Sequence, residues 1–235
     1  MEKSIELIEK KLKNIENKIL FVSFFVSIFL MIIFIVIKYP DWLEWIDVSY
    51  YSPNSFIQLL YLYTLFIISA FISVIHHLDK NIKIKERTIW ILASAGFLFL
   101  TLDEKYKFHN QLRDYLKVNK KFLWFENGDF VLFGVLVAGL IFSFFFVKYL
   151  IQSKRAFILF SLGIVVTIFS VVIDSIHLHK VLNVTRDLFW GLEEISETIA
   201  MTFFINSFVS MFCFYLKNFL NNISTSEEIS EKIPE

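Results

Sequence analysis

Residues 20–37 read LFVSFFVSIFLMIIFIVI, eighteen residues with no charge, proline or glycine. As an α-helix, a stretch of this length covers most of the roughly 30 Å hydrocarbon core of a bilayer. An open strand could not cross lipid, because its backbone N–H and C=O groups would go unpaired, so the run is read as a helix. Five more apolar runs follow: 55–75, a short one at 88–102, 129–147, 156–173 and 198–216. None alternates with a period of two, as a half-buried strand would. The expected fold class is therefore all-α, a polytopic membrane bundle of six transmembrane helices.

Composition agrees. The chain has 235 residues, 56% of them hydrophobic, and a mean hydropathy of +0.60, well above that of a soluble domain. Its formal net charge is zero, so no basic field points to nucleic acid. The single cysteine, Cys213, lies in an apolar run, excludes an intrachain disulfide and reads as a small apolar filler. The first run follows a charged stretch and precedes Lys38-Tyr39-Pro40 with no small-residue cleavage site, as in an uncleaved signal anchor.

Lysine and arginine orient the spans. The N-terminal segment carries Lys3, Lys10, Lys11, Lys13 and Lys18; the second connection Lys80, Lys83, Lys85 and Arg87; the fourth Lys148, Lys154 and Arg155. With Lys217 after the last span, all fall on one side if six spans alternate, which predicts both termini cytoplasmic in a multipass cell (plasma or inner) membrane protein. The first connection, with Asp41, Trp42, Glu44, Trp45 and Asp47, suits an outer interface. The third runs against the rule: it holds six lysines and arginines between Lys105 and Lys121 and must still lie outside.

Three parts are expected: a cytoplasmic helix over 1–19, the membrane domain over 20–218 and a disordered tail over 219–235, rich in Ser and Glu. In the first, Ile5, Leu12 and Ile19 recur at seven with Ile8 and Ile15 between them. That is an a/d seam, suited either to weak homo-oligomerisation through residues 1–19 or to lying on the inner leaflet.

The chemistry-bearing residues gather at the ends of three spans that alternation puts outside. They are Asp103 and Glu104 with His109; Asp174 with His177 and His179; and Glu193 and Glu194 with Glu197. Asp174 and His177 stand three apart, as do Glu194 and Glu197, so each pair shares a helix face. Carboxylates and imidazoles converging from facing helices are how bundles build metal sites, and this donor mixture suits zinc, or iron or manganese. Charges are also what any helix leaving a membrane meets, and Lys105, Lys107, Lys180 and Arg186 stand ready as plain partners. Repetition on three helices, on one side only, favours a shared site. The expected ligands are Asp103, Glu104, His109, Asp174, His177, Glu194 and Glu197, with Glu193 as general base. A metal-bound water, acidified toward neutral pH, would make the site hydrolytic; its depth suits a lipid or lipid-linked substrate. The alternative is non-enzymatic, an ion-responsive or oligomeric membrane protein with the acids as an ion-binding ring. A second histidine pair, His76-His77, ends the second span on the lysine-rich side and reads as a loop-proximal pair without a role.

The motifs LDEKYKFHN (102–110) and EEISE (193–197) resemble a pattern in uncharacterised multispanning bacterial membrane proteins. That resemblance implies about six helices and no activity. The chemistry is also similar to the membrane metal hydrolases related to alkaline ceramidase, whose Ser-x-x-x-His element Ser73 and His77 match. Those two residues fall on the cytoplasmic side, and His-x-x-x-His is absent, so that family's site is not carried over. No G-x-S-x-G, P-loop or HExxH motif is present.

Overall fold

The computed structural model describes residues 2–37, 53–79, 82–108, 111–112, 115, 130–175 and 186–231. Among them are six α-helices and no strand: α1 (Glu2–Ile37), α2 (Pro53–Leu78), α3 (Ile84–Tyr106), α4 (Phe130–Leu150), α5 (Lys154–Ser175) and α6 (Arg186–Glu231). Three of these are long and apolar enough to cross a membrane, over Phe56–Leu78, Lys154–Val172 and Ile195–Ile223. A shorter apolar helix covers Gly134–Leu150. The chain is thus an all-helical protein compatible with a membrane.

Local chemistry sets several of the ends. Proline stands first in α2, where its missing N–H costs no hydrogen bond. The α4–α5 turn closes on Ser153, whose Oγ accepts from the Ala156 N–H at 3.4 Å as an N-cap. Helix α3 stops at Lys107, the one described non-glycine residue with positive φ (53°); its N–H turns back to the Asp103 carbonyl.

Helix α6 is the axis, and all five other helices touch it. Against α1 it runs antiparallel, with Ser210, Asn206 and Thr202 facing Glu16, Ser23 and Ser27. Alongside α2 it runs parallel, with Glu197 beside Gln58 and Asn222 beside Asp79. Helix α3 is antiparallel to it, through Trp90 on Tyr215 and Phe97 on Phe208. So is α5, through the Ser207 hydroxyl on the Ala156 carbonyl and Phe204 over Gly163. Helix α4 lays Phe146 on Phe208 at a 5.5 Å centroid separation. Successive helices therefore alternate in direction.

The core is aromatic. Trp90, Phe146 and Phe208 are fully buried and pack with Phe97, Phe160 and Tyr215. Such rings prefer the edge-to-face and offset geometries seen here. Outward, Phe21, Phe25 and Phe29 form a stacked ladder along α1, and Phe144 is 78% exposed. An apolar surface of this kind is compatible with contact to lipid tails.

Helix α1 is unbroken from the heptad segment into the apolar run, so the boundary drawn at residue 19 corresponds to no break. Both stretches are helical by their own pattern, and nothing between them interrupts the backbone. Of the heptad residues, Leu12 packs on the core while Ile8, Ile15 and Ile19 are exposed. Helix α6 continues to Glu231, through most of the segment whose polar composition read as a tail. Phe219 packs against the core, and Asn222 donates to Asp79 at 2.9 Å, which ties the first turns of that extension down.

Candidate functional site

The helix directions carry the C-terminal ends of α3 and α5 and the N-terminal end of α6 to one end of the bundle. Their depths differ. Six residues on from the Phe97–Phe208 contact, Asp103 stands level with Thr202. Eleven residues on from Gly163–Phe204, Asp174 stands level with Glu193; reckoned from the Ala156–Ser207 contact it stands level with residue 189. The acids of α5 and α6 thus share one layer, and Asp103 lies deeper, below Glu197 by five residues of α6, roughly 7 Å at helical rise.

The described side chains give this end three carboxylates. Asp103 and Glu104 are half-buried, and Glu104 is held by Lys107 one turn along. Half-buried Glu197 accepts from Nε2 of the buried Gln58 at 2.5 Å. Gln58 is neutral, so this contact adds no opposite charge to the carboxylate. Among the described residues no three His, Cys, Asp or Glu side chains come together in a metal-holding group. His109, His177 and His179 lie outside the described residues. Asp174, Glu193 and Glu194 are in helix, without described side chains. Of the seven expected ligands, Glu104 and Glu197 have protein partners, and the two histidines among them fall where the structure is not described.

A second polar feature escaped the sequence reading. Thr198, Thr202, Asn206 and Ser210 step by four along α6 and are all buried. Thr202 shares a 2.5 Å hydroxyl contact with Ser27, which meets the Tyr61 hydroxyl at 2.9 Å. Asn206 donates to Ser23 Oγ and to the Thr202 carbonyl, at 2.7 Å each. Ser210 donates to Glu16 Oε1 at 2.5 Å, and Arg155 binds the same oxygen at 3.2 Å while bonding Asn17. A seam of polar side chains therefore joins α1, α2 and α6 between Glu197 and Glu16, through an otherwise apolar interior. Spacing by four of small polar residues inside an apolar run is the signal that could have revealed it.

The lysine-rich end holds the third cluster. His76 is fully buried and His77 exposed. Arg87 Nε donates to the His76 carbonyl at 3.1 Å, and Nη1 lies 3.5 Å from His77 Nδ1. Tyr215 donates to Glu86 Oε1 at 2.8 Å, and Gln152 in the α4–α5 turn reaches the same oxygen at 3.3 Å. Glu86 thereby ties α3 to α6 and to that turn.

The chain belongs to a protein family described as a domain of unknown function, DUF8692, whose profile matches residues 19–212. That match contains all three outer acidic clusters and the His76 pair and leaves out the heptad segment. No curated protein and no solved structure matches the chain.

Proposed function

We propose that this is a six-span membrane protein of the cell membrane, with both termini cytoplasmic and a divalent-metal site at the outer ends of α3, α5 and α6. The reaction we assign to it is hydrolysis of a lipid or lipid-linked substrate. One observation supports the reading: the α5–α6 register brings Asp174 level with residues 189–193 of α6, so acids of two packed helices come to the same end of the bundle. Ligands are drawn from Asp103, Glu104, His109, Asp174, His177, Glu194 and Glu197. The donor chemistry fits zinc, iron or manganese, with carboxylates outnumbering what one ion needs. A bound metal would supply an acidified water. Glu193 takes that water's proton. To serve as ligands, Glu197 and Glu104 would turn from Gln58 and Lys107 toward the ion.

A second reading is favoured by the seam. Ionisable and hydroxylated side chains threaded through a membrane bundle also serve ion response without catalysis. There the outer acids are an ion-binding ring, and residues 1–19 an assembly handle.

One experiment separates the two. Metal content is measured by mass spectrometry on protein purified in detergent without chelator, wild type beside Asp174→Ala/Glu194→Ala. Stoichiometric zinc, iron or manganese that is lost in the double variant is expected. A folded wild type with no bound metal refutes the metal site and leaves the second reading.

A further inference from the structure

His76 is the most costly side chain in the described structure. It is fully buried, and neither ring nitrogen has a hydrogen-bond partner. The same holds for Nε1 of Trp90, which is also fully buried. The imidazole stands edge-on to Tyr215, with centroids 4.3 Å apart, and 6.2 Å from Trp90. A buried polar atom left unpaired costs about 1–3 kcal/mol, so such groups persist mainly where they do something. Packing alone would accept a phenylalanine here at no such cost.

The charged groups around the ring come from several elements. On its own helix, Asp79 is three residues along and hence a neighbour on one face, and His77 is adjacent. From α3 come Glu86 and Arg87, and from α6 Tyr215. The two carboxylates are the acceptors a charged imidazole would seek, and each already accepts from a side chain of α6. Glu86 accepts from Tyr215, and Asp79 from Asn222. Arg87 is committed to the His76 carbonyl and to His77.

We infer that His76 is a proton-operated latch at the lysine-rich end of the bundle, closed when the ring is neutral. A neutral ring leaves both carboxylates on α6, and two hydrogen bonds add to the packing that holds this end of the α2–α3 hairpin there. A charged ring has two N–H donors and no acceptor in place. It draws Glu86 away from Tyr215, or Asp79 away from Asn222, and the hairpin parts from α6. Histidine is suited to this because its charge changes within the physiological pH range. The latch holds whether or not the outer acids bind a metal.

The test is a spin–spin distance across the latch. Lys83→Cys and Ile223→Cys are labelled in a Cys213→Ala background, full chain, in lipid nanodiscs; both labelled side chains are exposed. As pH falls from about 8 to about 5, across the imidazole range, the distance distribution should lengthen and broaden. The shift should vanish in His76→Phe, which keeps the aromatic packing, and in His76→Gln, which keeps a polar group that cannot charge. It should persist in His77→Gln. A wild-type distribution that does not change with pH overturns the latch. So does a shift that survives either His76 variant or is lost with His77→Gln.

Discussion

Replacing Gly163 by alanine should damage this bundle where the same change at Gly139 does not. A Cβ built on Gly163 would lie 2.6 Å from Cε1 and 2.8 Å from Cδ1 of Phe204, distances real Cβ atoms do not tolerate. The ring also packs on Phe160 at a 5.3 Å centroid separation, which limits how far it can move. Either the ring leaves its rotamer or α5 backs away from α6. Overpacking of this kind costs about 1–3 kcal/mol. Gly139 has nothing within 4 Å of its would-be Cβ, so its alanine variant feels only the helix-propensity gain, up to ~1 kcal/mol. The difference between the two variants cancels that gain and isolates the steric cost, about 1–3 kcal/mol against Gly163→Ala. Equilibrium unfolding in mixed detergent–SDS micelles measures it. Phe204→Leu in the same chain should recover part of the loss, giving a non-additive double-mutant cycle. Equal stability of Gly163→Ala and Gly139→Ala would refute the close α5–α6 approach, and with it the register that brings Asp174 level with Glu193.

Two further outcomes follow from the polar contacts. Tyr215→Phe removes the hydroxyl from Glu86 and should cost about 1.5–3 kcal/mol, nearer the lower figure because Gln152 still reaches that carboxylate, read as a lowered unfolding midpoint in the same micelles. Thr202→Val keeps the shape but removes the hydroxyl that meets Ser27, and should cost about 1 kcal/mol with coupling to Ser27→Ala; additive losses would mean the pair does not interact.

Much of the architecture was readable because long apolar runs leave a chain few options. The runs at 55–75, 129–147 and 156–173 became Pro53–Leu78, Phe130–Leu150 and Lys154–Ser175, within a few residues at each end. Alternation of direction, the premise under which most of the lysines fall on one side, agrees with the antiparallel contacts of α6 with α1, α3 and α5. Missing from that pattern was any rank among the spans. Six apolar runs look interchangeable, and hydropathy averages over the detail that sets α6 apart. Thr198, Thr202, Asn206 and Ser210 lower its mean hydropathy only slightly, yet they put it at the centre, since polar side chains can be satisfied in lipid only by other helices.

The acids teach the complementary point. Spacing by three or four says which side chains share a face of their own helix, but not what stands across from that face. Glu197 and Glu194 were grouped on that rule, yet Glu197 turns to α2, where Gln58 is the one amide in an apolar run. Depth along a neighbouring helix is equally invisible, because it depends on the crossing contact; Asp103 is level with Thr202 only by virtue of Phe97 meeting Phe208. The His76-His77 pair shows how one residue of offset decides the matter. Both imidazoles read alike in a lysine-rich connection, but a helix turns about 100° per residue. That turn puts His77 on the outside beside Arg87 and drives His76 between Trp90 and Tyr215, where an ionisable ring without partners has to be explained by what it does.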